Sequence, residues 1–174
     1  NGCMTTYDFT IEAYEPLTLV LENNRYNEIT AIATGGVEDY TFYFNDIDNG
    51  TDNVYYINQT GTYTVTVIDQ NGCEATAEIY MEFMDIDFPK YFTPDGDGMN
   101  DIWIPDNIEG FPDVLIKIYD RYGRVVEEMT RNVKGWDGNY DGKPLPTGDY
   151  WYVVRLQGEQ DNREFVGHFT LYRK

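Results

Sequence analysis

Gly61-Thr62-Tyr63-Thr64-Val65-Thr66-Val67-Ile68 decides the fold class. Tyr63, Val65 and Val67 alternate with Thr62, Thr64 and Thr66, the period of two that sends successive side chains to opposite faces of a strand. The apolar set points inward and the threonines meet water, the pattern of an antiparallel sheet with one solvated face. Comparable runs occur at 18–22, 28–33, 40–44 and 54–57 upstream and at 75–81 downstream. Gly35-Gly36, Asn49-Gly50, Asn58-Gln59-Thr60-Gly61 and Asn71-Gly72 punctuate them with residues that favour turns. With 16 Tyr, 16 Gly and no 3.6-residue apolar stripe, the 174-residue chain reads as all-β, with helix nearly absent.

This length suits one large domain or two small ones, and the charge distribution favours two. Residues 1–83 carry 14 acidic side chains against the single Arg25, whereas residues 84–174 carry 17 against 11 basic ones. Asn1-Gly2-Cys3 also recurs 70 residues later as Asn71-Gly72-Cys73, an offset that fits one small β-sandwich. The spacing is equally that of two hairpin turns each marked by Asn-Gly. The expected organisation is residues 1–13 as the last strand of a preceding repeat or the first strand of domain 1, then a sandwich over 14–83 and another over 84–174. Both read as immunoglobulin-like, joined by a short connection near 82–87. Cys3 and Cys73 either bridge or stand free, and equivalent repeat positions favour the second.

A net charge of −19 repels phosphate backbones and anionic lipid surfaces, which argues against nucleic-acid binding. No run of 18 apolar residues and no signal-peptide pattern is present, so direct membrane insertion is not expected and the chain reads as a fragment of a longer protein.

In the second half, runs 114–119 and 124–129 flank Asp120-Arg121-Tyr122-Gly123, with Gly123 placed where a left-handed residue closes a bulged hairpin. Runs 150–156 and 164–171 follow. Residues 88–103 are more unusual. Phe92-Thr93-Pro94-Asp95-Gly96-Asp97-Gly98-Met99-Asn100-Asp101-Ile102-Trp103 packs three carboxylates, an amide and two glycines between aromatic flanks. Asp95, Asp97, Asn100 and Asp101 form a candidate calcium site, because oxygen ligands two residues apart on a glycine-rich turn can converge on one ion. The EF-hand pattern itself is incomplete there: Met99 takes the third ligand position and no terminal Glu follows. Asp137, Asn139 and Asp141 make a second, weaker candidate, since the twelfth position of that loop is Gly148. The bland reading of both segments is an Asx turn in which carboxylates cap backbone amides.

Catalysis finds no foothold, and the chain is expected not to be an enzyme. His168 is the single histidine, expected to be half-buried on a strand, and neither cysteine has a histidine near it in sequence. Trp103, Trp136 and Trp151 compose either core or a stacking platform for sugars, and strand alternation separates Tyr150 and Tyr152 from Trp151. Trp136, in a loop signal, is expected to anchor a turn.

Taken together, the segment 88–103, Gly135-Trp136-Asp137-Gly138 and Lys143-Pro144-Leu145-Pro146-Thr147-Gly148-Asp149-Tyr150 resemble the gliding motility-associated C-terminal domain. That family is the type B sorting domain of the type IX secretion system, and the likeness covers about residues 84–174. Its pattern falls on Phe92, Pro94, Asp95, Gly96, Asp97, Gly98, Asn100, Asp101 and Trp103. It continues on Tyr119, Arg121, Gly123, Trp136, Asp137, Gly138, Gly142, Leu145, Pro146, Gly148 and Tyr150. Asp95 stands where the family commonly has Asn. Upstream, Ala33-Thr34-Gly35-Gly36, Gly61 to Val67 and Asn71-Gly72-Cys73 resemble the SprB-type repeats of bacterial surface adhesins. Many such repeats carry an earlier cysteine, and residues 12–40 here contain none.

The resemblance implies a secretion signal that takes a large cell-surface adhesin across the outer membrane. The implied partners are a PorV-like β-barrel shuttle, a PorP/SprF-like outer-membrane protein and the type IX translocon, with the upstream repeat as adhesin stalk. The alternatives are a carbohydrate-binding module and a purely structural stalk of a surface protein.

Overall fold

The computed structural model describes residues 3, 5–8, 14–158 and 161–173. The chain is nearly all β and divides into two compact units, Asn1–Glu22 with Thr30–Tyr55 and Thr62–Ile79, and Asn23–Ile29 with Tyr56–Gly61 and Tyr80–Lys174. The strand expected within residues 1–13 falls mostly outside the described residues, and 5–8 form none.

Residues up to 81 supply seven strands: β1 (Thr18–Arg25), β2 (Glu28–Thr34), β3 (Thr41–Phe44), β4 (Ile47–Asp48), β5 (Val54–Tyr56), β6 (Gly61–Ile68) and β7 (Glu74–Met81). They form two sheets, ordered β1-β2-β5 and β4-β3-β6-β7. As the alternation requires, Tyr63, Val65 and Val67 are buried. Phe44 and Tyr55 stack beside them with ring centroids 4.8 Å apart. Cys3 and Cys73 are both free and exposed.

Residues beyond supply β8 (Tyr91–Phe92), a single 3₁₀ turn (Ile108–Gly110), β9 (Leu115–Tyr119), β10 (Val125–Thr130), β11 (Asn139–Tyr140), β12 (Lys143–Pro144), β13 (Gly148–Arg155) and β14 (Glu164–Leu171). Five of these make one sheet in the order β10-β9-β13-β14-β8, and β11 pairs with β12. All neighbours are antiparallel except β14 and β8, where Thr170 and Leu171 run parallel to Tyr91 and Phe92. Tyr150, Tyr152 and Val154 face the core and Trp151 faces out. Across from Trp151 stands His168. His168 is exposed, not half-buried, because Phe169 and Leu171 take the inward positions of β14.

One turn is built twice. Asp69 and Asp120 are both buried, and the Oδ1 of each accepts the amides two and four residues on: Asn71 and Cys73 at 2.9 and 2.8 Å, Tyr122 and Arg124 at 2.9 and 3.0 Å. Gly72 and Gly123 occupy the left-handed position at φ 81° and 78°, where a side chain would be strained. In each case the Asp amide donates to the carbonyl of the fourth residue on, at 3.0 Å. Burial opposes ionisation of Asp120, yet the Arg124 and Tyr122 amides and the Arg124 guanidinium outweigh it and hold the carboxyl below its ordinary value.

Candidate functional site

The carboxylate-rich segment is a loop closed on itself. After β8, the Thr93 amide donates to the Asn100 carbonyl at 2.7 Å, and Gly96, Gly98 and Asn100 turn through positive φ of 82°, 89° and 51°. Asp101 organises the interior: its two carboxylate oxygens accept the amides of Gly96 and Gly98 at 2.6 and 2.8 Å. Those two bonds, Gly96 first, hold its pKa below the ordinary carboxylate range. Asp97 Oδ1 accepts the Met99 amide at 2.8 Å. Asp95, Asp97 and Asp101 each offer an oxygen within 4.8 Å of the others, so the donor set suits a hard cation. Asn100 contributes its backbone to the loop closure.

The second acidic string follows the Asx reading. Asp137 accepts the amide and the side-chain N–H of Asn139, at 2.9 and 2.7 Å. Asp141 and Gly142, at φ 51° and 71°, then make the two-residue turn between β11 and β12, the mirror-image geometry that suits a hairpin's twist.

Beneath these loops lies an aromatic frame. Trp103 and Trp136 are fully buried, and each indole N–H donates to a backbone carbonyl, Pro89 at 2.8 Å and Asn139 at 2.9 Å. Phe169 stacks on Trp103 at 4.3 Å and meets Trp136 edge-on, while Phe92 packs 5.5 Å from Trp136. Tyr150 is buried, and its hydroxyl donates to the Pro146 carbonyl at 2.9 Å, as in the tyrosine corner of sandwich folds. Two of the three tryptophans weighed for a sugar platform are therefore core. Trp136 anchors its turn as expected. Gly138 is buried at φ 78°, and any Cβ there would overlap Leu171.

Sequence reasoning missed Arg173, which joins the motifs. Its guanidinium donates to the carbonyls of Leu145 at 3.0 Å, Gly138 at 2.9 Å, Asp137 at 3.2 Å and Pro94 at 3.4 Å, and to Asn139 Oδ1 at 3.3 Å. Its amide donates to Thr147 Oγ1 at 2.8 Å. The three separated motifs thus meet on one side chain. A single arginine whose partners are mostly carbonyls leaves no pattern in the sequence.

The predicted residues therefore sort into two sets. Phe92, Trp103, Trp136, Gly138 and Tyr150 are buried framework. Asp95, Gly96, Asp97, Gly98, Asn100, Arg121, Gly123, Asp137 and Pro146 are exposed, with Pro94, Asp101, Leu145 and Gly148 partly so.

Residues 86–171 match the family described as CHU_C Type IX secretion signal domain. No curated protein matches the chain. Among solved structures, dimeric latent PorU from Porphyromonas gingivalis aligns over 92% of this chain and 20% of its own, at 13% identity and TM-score 0.30. The BSP domain of a biofilm associated protein aligns over 92% and 30%, at 11% and 0.34. Three N-terminal domains of the bacteriophage RB49 highly immunogenic outer capsid protein align over 92% and 59%, at 14% and 0.32. The chain spans less than two thirds of each of these proteins, and all three TM-scores fall below 0.5.

Proposed function

Because residues 86–171 belong to the CHU_C type IX secretion signal domain family, we propose that this module is the address by which a larger surface protein is delivered across the outer membrane. In this reading the domain folds first and is recognised as a shape. Its direct contacts are a PorV-like shuttle or a PorP/SprF-like outer-membrane protein, with the translocon behind them. The strongly acidic first unit is a spacer and adhesin stalk. No helix among the described residues is long and apolar enough to cross a membrane, so nothing in them competes with recognition by an inserted helical anchor.

The observation that carries the proposal is the Arg173 cluster. Pro94, Asp137, Gly138, Leu145 and Thr147 come from three stretches of sequence and are bound to one residue, which presents the motif loops as a single rigid surface. Loops held by a rigid scaffold are where recognition is commonly placed. The test is to fuse the full 174-residue chain to a periplasmic reporter in a host with a type IX system and in one lacking its translocon. Delivery to the cell surface in the first host alone is expected; periplasmic retention in both would overturn the reading.

A further inference from the structure

In a chain with 31 acidic and 12 basic residues, the cations of the second unit are nearly all engaged. Arg124 is ion-paired with Asp120 at 2.9 Å, Arg155 with Glu164 at 2.5 Å, Arg163 with Asp85 and Asp161 at 2.8 and 2.6 Å, and Lys117 with Glu128 at 3.0 Å. Arg173 is committed to carbonyls. Arg121 differs. It is exposed, its guanidinium forms no hydrogen bond or ion pair with another described residue, and it lies 5.3 Å from the ring centroid of Tyr122.

Arg121 stands at a cleft of about 260 Å³ between the 120–124 turn and residues 145–151. That is below the roughly 300–1,000 Å³ of small-molecule pockets, and it leaves room for a side chain or two. Its remaining surface is aromatic and proline: Tyr122 is 82% exposed, Trp151 40%, and Pro146 borders them. Two carboxylates also line it. Asp120 is spent on two amides and Arg124, and Asp149 accepts the Thr170 hydroxyl at 2.7 Å. The one uncommitted charge is therefore positive, on a planar fork that matches a carboxylate with two parallel hydrogen bonds.

We infer that this cleft receives a loop of a partner protein presenting an acidic side chain to Arg121 and an adjacent apolar residue to Tyr122 and Trp151. The inference rests on the secretion reading and names a contact within it. It explains why Arg121 and Pro146, far apart in sequence, occur in the same set of motifs: they border one cleft.

The test uses the full-chain reporter fusion with Arg121→Glu, Arg121→Lys and, as a control with the same charge change at an exposed site outside the cleft, Lys134→Glu. Arg121→Glu is expected to lower surface delivery at least tenfold with its Tm within about 2 °C of the parent. Lys should retain part of the delivery, and Lys134→Glu all of it. Tyr122 replaced with the photocross-linker p-benzoylphenylalanine should trap a partner peptide containing Asp or Glu within a few residues of the link. Normal delivery of Arg121→Glu, or a trapped peptide without an acidic residue, would overturn the cleft while leaving the secretion reading intact. A parent chain that stays in the periplasm would overturn both.

Discussion

Trp103 and Trp136 exchange both backbone hydrogen bonds, N–H to carbonyl at 2.8 and 2.9 Å, although 33 residues separate them. An isolated bridge between two wholly buried indoles fixes the loops on either side at once. Trp136→Ala should remove that packing and cost about 3–5 kcal/mol, the range for large aromatic truncations in a core. A lower urea midpoint at unchanged slope checks it, and a loss under 1 kcal/mol would contradict the assigned packing.

Gly138 and Gly142 share a left-handed φ but differ in surroundings. Gly138→Ala drives a methyl into Leu171 and should cost about 3 kcal/mol, whereas Gly142→Ala faces open space and should cost about 1 kcal/mol. Equal losses in thermal melts would mean that the backbone conformation alone, and not the contact, matters at 138.

Arg173→Ala should cost about 2–3 kcal/mol, since carbonyls lose a charged donor. Lys cannot span the same carbonyls with one ammonium and should rescue less than half. Hydrogen exchange should rise first at 137–147, before the amides of β13; uniform acceleration would argue against a local clamp.

Acid should weaken the fold through named groups. Asp101 is held below its ordinary pKa by the Gly96 and Gly98 amides, and Asp85 by the Arg163 side chain. A depressed folded pKa contributes stability above the unfolded value and loses it as pH falls through the folded one. Tm should therefore drop progressively from about pH 5 to pH 2. Asp101→Asn should start lower at pH 7 and fall less steeply; an unchanged slope would remove Asp101 from this account.

Chelation probes the 95–101 loop from another side. Its closure uses carboxylate-to-amide bonds of Asp101 and Asp97, so EDTA is expected to leave Tm in place. A fall of several degrees would show that an ion bound to the native state is part of the fold.

Most of the strand content was legible because alternation is a local signal. Residues 62–68 and 150–156 announced their inward faces directly, and β6 and β13 confirm them. The pair strands β8 and β11–β12 were not legible, being two residues long and defined by distant partners. His168 misled for a related reason: one histidine on an apolar strand carries no sign of which parity faces water. In the candidate site, the Asp and Gly spacing revealed the turns, while the Arg173 cluster depends on carbonyls that no residue letter encodes.

The parallel pairing of β14 with β8 joins stretches 79 residues apart, and Arg173 follows immediately after. Contacts of such separation carry a large loop-closure cost and form late. The assembled loop surface is thus absent until the whole module has been threaded and closed, which makes it a readout of completed folding as well as of identity.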